Sequence, residues 1–521
     1  MTSGESTAET LSAVDTAWLH MEHPTNLMMV TGVLVFERPL DFDRVAQLLR
    51  DRLLSIPRFT QRVVEPRMPF AGPRWETDPH FDLRSHFHRV SLRSPGNEAA
   101  LRDLVSDLMS TPLDYSKPLW QYHLIEGFGS GCAILCRIHH SIGDGIALVR
   151  VLLSMMDGGE AGNNAAGPHE PHGWERLGPL LRPAARAISR TLEVTESLMH
   201  EGTEALAHPE RLLELASRGA SGVDALARLL LMEPDPATPF KGPLGPFKRV
   251  AWSRPIPLDE VKAAGKALGA TVNDVLLSAV TGALRRYLET HGFPPAGVEF
   301  RAVVPVNLRS KKEEHELGNR FGLVFLALPV GIENPVERLF ELKERMDEIK
   351  RSPEAIVAFG LLGAIGSAPA EIEHLVVNLF GQRGTAVMTN VAGPRHPISL
   401  SEVPVKSLMF WVPQSGRLGM GVSILSYAGG VSLGVATDAG LVPDPEAILD
   451  GFQDEFDVLA ALARREAETG PPPKASRQAR ASKPAEVTKG AKGGRKSAAP
   501  KRGARRKPAK RVKPARKPRA R

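Results

Sequence analysis

Cysteine is scarce in this chain: Cys132 and Cys136 are the only two in 521 residues. Two thiols four positions apart cannot build the multi-bridge framework of a small secreted domain, and such sparse use fits a reducing compartment. Long apolar runs are lacking too. The longest, Ala355 to Ala368, stops short of the roughly 20 residues that a membrane-spanning helix requires. Met1 to Thr10 has neither a basic segment nor an apolar core, so no secretory signal is expected. No short-period repeat is present. With 42% apolar and 24% charged residues, the bulk composition is that of an ordinary soluble globular chain. Its length allows two domains, each with a sizeable core, and the expected location is cytoplasmic.

Positive charge is present in excess, but only at one end. From Pro471 onward there are 20 Lys+Arg and one acid, Glu486, a net +19. The remaining body holds 46 basic and 58 acidic residues, a net −12. The tail, 471–521, is rich in Lys, Arg, Ala and Pro and nearly free of large apolar residues. It cannot bury enough surface to offset its ordering entropy, so disorder is expected there. Such a tail suits nucleic acid, through phosphate neutralisation, or an anionic lipid surface, at roughly 1 kcal/mol per basic residue held close to it.

Periodicity divides the body. Leu27 to Phe36 reads as a strand, Asp43 to Leu54 as a helix, and Leu119 to Glu126 and Cys132 to Ile138 as a hairpin joined by Gly127 to Gly131. Ile146 to Met156 reads as a helix. Asp157 to Gly173 is a Gly/Asn/Pro-rich loop, Trp174 to Met232 two or three helices, and Pro234 to Pro246 a crossing segment. A second unit begins near Arg249. Its long helix, Thr271 to Thr290, sets Val272, Val275, Leu276, Ala279, Ala283, Leu284 and Leu288 on one side. Strands follow near Val298 to Val306, Phe321 to Pro329, Ala386 to Val391, Leu408 to Val412 and Gly419 to Tyr427, with Gly429-Gly430 as a hairpin turn. Asn334-Pro335 and Asp444-Pro445 each open a helix. The pattern predicts a two-domain α/β protein. The expected divisions are 1–156, a connecting region 157–248, 249–470 and the tail.

The chemistry concentrates in His139-His140-Ser141-Ile142-Gly143-Asp144-Gly145, directly after the second hairpin strand. A neutral imidazole, with an unperturbed pKa of about 6.5, can accept an alcohol proton near neutral pH. If the strand geometry persists, His140 shares a face with Cys132, Ile134, Cys136 and Ile138. Gly143 and Gly145 permit a tight turn. Asp144 either orients the loop by a hydrogen bond or ion pair, or serves as a turn residue or helix N-cap. Cys132, Cys136, His139 and His140 do not form a convincing zinc set, because the cysteines share a strand face with aliphatic residues and buried Cys is the commoner outcome. His169 and His172 sit in a loop without further ligands nearby. No metal is expected.

The His-His-x-x-x-Asp-Gly pattern resembles the active-site motif of the CoA-dependent acyltransferase superfamily. Met21 to Asn26, Lys117-Pro118-Leu119-Trp120, Asn273-Asp274-Val275, Asn390 to Pro394 and Gly242 to Pro246 narrow the likeness to the bacterial wax ester synthase/diacylglycerol acyltransferase family. The match runs in order from about residue 10 to 465, with Ala392 where the family usually has Pro. The resemblance implies two chloramphenicol-acetyltransferase-like domains with the active site between them. It implies acyl-CoA as co-substrate with no bound cofactor, and diacylglycerol or a long-chain alcohol as acceptor. His140 is then the general base, His139 and Asp144 hold the loop, and transfer is direct, without an acyl-enzyme. The superfamily's Asp–Arg pairing implies Arg62, ahead of Arg58, as the partner of Asp144. Asn273, Asn390 and Gly393 are implied to line the substrate site, although Asn273 could equally be an N-cap and the Gly-Pro at 393 a turn. Pro118-Leu119-Trp120 is read as packing beneath the central strand, and Ala355 to Ala368 as buried against the second domain.

For a lipid-making body, the tail is expected to recruit the enzyme to the inner membrane or lipid droplets, ahead of nucleic acid. Two other readings remain. One keeps the fold with a polyketide or peptide acceptor. The other is a non-catalytic lipid- or nucleic-acid-binding protein.

Overall fold

The computed structural model describes residues 9–65, 72–158, 231–309, 317–352, 354–365, 381–414 and 418–469. The helices expected within 174–232 and the basic tail lie outside the described residues, the first of them apart from its last two positions. The N-terminal half contains β1 (Glu9–Thr10), α1 (Ala13–His20), β2 (Met29–Phe36), α2 (Phe42–Leu48), β3 (Gln61–Val64), β4 (Arg74–Thr77) and β5 (Phe87–Ser91). It continues with α3 (Glu98–Met109), β6 (Trp120–Phe128), β7 (Gly131–His139) and α4 (Gly145–Met155). After the crossing segment come β8 (Lys248–Trp252), β9 (Ile256–Pro257), α5 (Leu258–Ala267), α6 (Val272–Thr290), β10 (Phe300–Asn307) and β11 (Phe321–Leu328). Then follow α7 (Pro335–Ile349), α8 (Glu354–Ile365), β12 (Ala386–Ala392), β13 (Ser399–Leu400), β14 (Val403–Trp411), β15 (Met420–Tyr427), β16 (Gly430–Asp438) and α9 (Pro445–Thr469).

All nine residues of β7 are buried, which explains the near-continuous apolar run: a central strand covered on both faces has no solvent side to mark with polar residues. It pairs antiparallel with β2 on one side and β6 on the other. The six-stranded sheet has the order β13-β14-β2-β7-β6-β5. Trp120, fully buried, donates its indole N–H to the Phe59 carbonyl at 2.8 Å, and the Leu119 carbonyl accepts from the His139 amide at 2.9 Å. Leu119 and Trp120 thus support the end of β7. The helix expected over 43–54 is broken: α2 ends at Leu48 and a π-helical turn, Leu49–Leu53, follows.

The second sheet runs β11-β10-β12-β15-β16-β8, with β9 also pairing β16. Its central helix, α6, opens with a reciprocal capping box in which Thr271 and Asp274 satisfy each other's backbone amides. The expected one-sided apolar stripe is too narrow a description. Every residue from Asn273 to Leu284 is buried, because α5, α7 and α9 surround the helix. In the crossing segment, the Gly245 amide and Lys248 Nζ both donate to Asp438 Oδ2, at 2.8 and 2.9 Å.

The two sheets do not divide the chain at one point. β13 and β14 belong to the N-terminal sheet, where β14 pairs antiparallel with β2. Val405, Met409 and Trp411 join the N-terminal core, and β14 covers what would otherwise be an open edge of β2. Trp411 meets Trp252 of β8 edge-on, with centroids 5.6 Å apart. A smaller cluster of Val14, Ala17, Trp18, Met21, Met28 and Phe321 joins α1 to β11. Among the described residues no single helix is long and apolar enough to cross a membrane. In α8, Ala355 and Ala358 are buried and the helix packs on β11 and α1.

Candidate active site

The strand geometry of β7 ends at His139, so His140 is placed by what surrounds the loop and not by alternation along the strand. Its amide donates to the Met28 carbonyl at 2.7 Å. Its ring stacks on Trp18, with centroids 4.3 Å apart and planes at 19°. Phe321 approaches from the other half at 5.6 Å.

Asp144 performs both roles considered for it. It is the N-cap of α4, where Oδ1 accepts from the Ala147 amide at 3.0 Å. Its Oδ2 accepts from Arg309 Nη2 at 2.8 Å, Arg309 Nε at 3.1 Å and the Arg320 amide at 3.2 Å. The expected partner was Arg62, and the structure corrects this. Arg62 lies on β3, opposite Glu76 of β4, while Arg58 pairs with Glu9 at 2.9 Å. The pairing is kept, but the cation comes from the other half of the chain.

Neither Gly143 nor Gly145 has a positive φ, so the space a Cβ would take is what matters at these positions. Gly143 forms a backbone bridge with Gly318, and a Cβ there would meet Ala147 Cβ at 3.3 Å. Gly145 borders the cavity described below. Gly318 is the residue in the left-handed region, at φ +93°.

His140 lies on the wall of a cavity at the junction of the two sheets, which opens to solvent and with that open space takes in about 860 Å³. Apolar wall positions include Val303, Phe321, Leu323, Val387, Phe410 and Val412. Polar groups are few: His140, Asp144, Asn307, Thr389 and Asn390. His140 Nδ1 is sealed from solvent without a hydrogen-bond partner, so Nε2 is the nitrogen left to address the cavity. Burial lowers the His140 pKa to about 4, more than Asp144 can raise it. The ring is therefore an uncharged base at neutral pH.

His139 points elsewhere. It is fully buried and is not part of the cavity wall. Its Nδ1 accepts from the Ser141 amide at 3.1 Å and lies 2.8 Å from Ser141 Oγ. The ring proton is thereby assigned to Nε2, which faces Glu22 Oε2 at 3.3 Å and Tyr115 Oη at 3.2 Å. Glu22 also accepts from the Met28 amide at 2.9 Å, and Met28 in turn holds the His140 amide. The order Glu22–His139–Ser141 has the form of a relay, but Ser141 is 1% exposed and no substrate carbon can reach it. His139 therefore braces the loop, the role the resemblance implied for it, and takes no place on the cavity wall.

Asn273 and Asn390 are brought together, with Asn390 Nδ2 donating to Asn273 Oδ1 at 2.9 Å. Asn390 borders the cavity and Asn273 stands behind it. Asn273 is not the N-cap, a position held by Thr271. Gly393 is off the cavity wall. Its amide donates to the Ser426 carbonyl at 2.9 Å, and a Cβ would come within 2.5 Å of that oxygen, so its role is backbone packing. Sequence reasoning missed Trp18, Arg309, Asn319 and Asp15. The polar segment between β10 and β11 was the one hint to two of them, since Arg309 and Asn319 are 4% exposed.

An imidazole at the end of a sheet strand, set in a cavity between two mixed sheets, defines the fold class. The first condensation domain of the calcium-dependent antibiotic synthetase has this fold at a TM-score of 0.55 and 15% identity, over 89% of this chain and 98% of that one. So does the wax ester synthase/diacylglycerol acyltransferase from Marinobacter aquaeolei VT8, at 0.61 and 24%, over 87% and 100%. The family model for the wax ester synthase/diacylglycerol acyltransferase catalytic domain matches residues 11–276, and the family's C-terminal domain matches 317–460. The "Probable diacyglycerol O-acyltransferase tgs1" of Mycobacterium tuberculosis is 30% identical over 467 residues, covering 88% of this chain and 97% of that protein. The chain belongs to the wax ester synthase/diacylglycerol acyltransferase family and is an enzyme of that acyltransferase family.

Proposed function

We propose that this enzyme esterifies diacylglycerol, long-chain alcohols or both with acyl-CoA, giving triacylglycerol or wax esters. The observation that carries the reading is His140: a buried, uncharged imidazole on the wall of a large and mostly apolar cavity. Nε2 takes the proton of the acceptor hydroxyl as its oxygen attacks the thioester carbonyl. The tetrahedral intermediate collapses, the C–S bond breaks, and the imidazolium returns its proton to the CoA thiolate. Among the described residues the only side-chain hydroxyl on the wall is that of Thr389, on a strand of the other sheet, and direct transfer is the simpler route. Asn390 is the polar group best suited to orient a substrate oxygen, with Asn273 behind it. The two halves are read as chloramphenicol-acetyltransferase-like domains, supported by a mixed sheet in each and by the cavity at their junction.

Labelled palmitoyl-CoA offered with hexadecanol and with dioleoylglycerol tests the reading. Ester product is expected with at least one acceptor, and His140→Ala is expected to reduce kcat by about 10²–10⁴-fold, the usual worth of a general base. Near-normal rates in folded His140→Ala would remove His140 from the chemistry.

The net +19 tail is assigned to an anionic membrane or lipid-droplet surface, because the substrates partition there and the −12 body would be repelled from it. The enzyme would then be cytoplasmic and peripheral to the inner membrane. Removing residues 471–521 is expected to abolish salt-sensitive flotation with phosphatidylglycerol vesicles. Equal flotation with and without the tail would refute this assignment, and selective loss of DNA binding would assign the tail to nucleic acid instead.

A further inference from the structure

The Asp144–Arg309 pair and the Gly143–Gly318 bridge link the C-terminal half to the histidine loop at its Asp-Gly end. A further link passes through Asn319. Its Nδ2 donates to the His140 carbonyl at 2.7 Å and to Asp15 Oδ1 at 2.7 Å. Its backbone amide also reaches Asp15 Oδ1, at 3.1 Å. The other oxygen of Asp15 accepts from Ser12 Oγ at 2.7 Å. Asp15 is 7% exposed and Asn319 4%.

Both hydrogens of the Asn319 amide are thus committed, one to α1 and one to the His140 main chain. This orients the amide without ambiguity, because a reversed Asn319 would set its oxygen against two acceptors. The remaining polar atom, Oδ1, is buried without a partner, and so is His140 Nδ1. The Asn319 side chain lies close enough to the ring to favour its protonated form. A neutral imidazole carries one proton. If it sits on Nδ1, the lone pair is on Nε2, where an acceptor hydroxyl can use it.

We propose that Asp15 and Asn319 form a positioning pair for His140. Asp15 orients the Asn319 amide, which holds the His140 main-chain carbonyl and so fixes where the imidazole stands. The proposal rests on the reading of His140 as the general base. Neither residue touches substrate, and both act through the histidine.

Steady-state acyl transfer from palmitoyl-CoA to hexadecanol or dioleoylglycerol, whichever the unaltered enzyme uses, together with melting temperature, tests the pair. Asn319→Ala and Asp15→Ala are each expected to lower kcat by about 100-fold, the usual effect of misplacing a reacting group by about 1 Å, while KM changes little. Asp15→Asn keeps an acceptor oxygen for the Asn319 amide and is expected to recover most of the loss. Asn319→Asp sets two carboxylates face to face and is expected to lower the melting temperature. Combining it with Asp15→Asn relieves that repulsion. The double variant should regain its melting temperature but not its kcat, because no donor then reaches the His140 carbonyl. Near-wild-type kcat in both alanine variants would overturn the proposal, as would recovery of kcat with melting temperature in the double variant. Should the alanine variants fail to fold, Asp15→Asn and the double variant decide the matter alone. His140→Ala separates the two levels. Persisting transfer there refutes the base itself, whereas abolished transfer beside unaffected Asn319→Ala and Asp15→Ala refutes only the pair.

Discussion

The two halves of the molecule are built alike and used differently. Each is a mixed sheet with helices packed on it, yet the buried imidazoles among the described residues, His86, His123, His139 and His140, all belong to the N-terminal half. The C-terminal half supplies what the histidine loop cannot supply for itself. Arg309 neutralises Asp144, Gly318 pairs with Gly143, Asn319 holds the His140 carbonyl, and Phe321 and Asn390 line the far wall of the cavity. One half carries the histidine loop and the other fixes it. Two similar architectures can thus share one site in unequal parts, since chemistry resides in particular side chains and not in the fold that carries them.

This asymmetry is most directly broken at the Asp144–Arg309 pair. Both side chains are almost wholly buried, at 7% and 1% exposure. Removing one partner leaves an uncompensated charge, a loss of about 3–5 kcal/mol. Arg309→Ala and Asp144→Ala should each lower the urea midpoint accordingly. Losses in the double variant should fall well short of the sum, because the two groups share one interaction. Additive losses would show that the pair does not act as a unit.

Acid sharpens the comparison from the other side. Burial holds the His140 pKa at about 4 and that of His123 at about 3, against about 6.5 for an unfolded imidazole. Below that value the unfolded chain binds protons that the folded chain does not. Stability from these groups is therefore complete above about pH 6.5 and declines as pH falls towards the folded values. Urea midpoints followed from pH 7 to pH 5 should fall less steeply in His140→Gln than in the unaltered protein. Parallel slopes would mean that the folded ring takes up its proton normally.

The smallest effect is expected at Arg62, on β3 and away from the loop. Arg62→Ala should alter stability by only about 0.5 kcal/mol, as for a site outside the core. A loss matching that of Arg309→Ala, read from the same midpoints, would reinstate it as part of the site.

Much of the fold was legible because its signals are local. The apolar run Cys132 to Ile138, the turn chemistry after it and the start of α4 lie within about twenty residues, and β7, the loop and α4 stand where periodicity and capping predict. The same holds for the span of α6, although its cap is Thr271 with Asp274 and not Asn273. The site was legible only in part. His140 and Asp144 belong to one motif, and Asn390 was carried by resemblance. Arg62 was wrongly expected as the ion-pair partner because nothing local distinguishes it from Arg309. Arg62 lies within β3, Arg309 two residues beyond β10, and neither position by itself points to Asp144. The partners of His139 were not legible, because adjacency in sequence does not reveal that successive rings at a strand end diverge, one towards Glu22 and the other towards the cavity.

By itself, then, the sequence determined the elements, the histidine loop at the end of a buried strand, and the charge division between body and tail. These depend on interactions between near neighbours or on composition. Only the tertiary structure decided that β14 completes the N-terminal sheet, that Arg309 lies 165 residues from the carboxylate it neutralises, and that Asn319 joins α1 to His140 across separations of 304 and 179 residues. Contacts at such separations leave no periodic trace in the chain. They are selected by which buried charges and amides find partners once both cores have closed, since an unpaired group there costs more than the order needed to satisfy it.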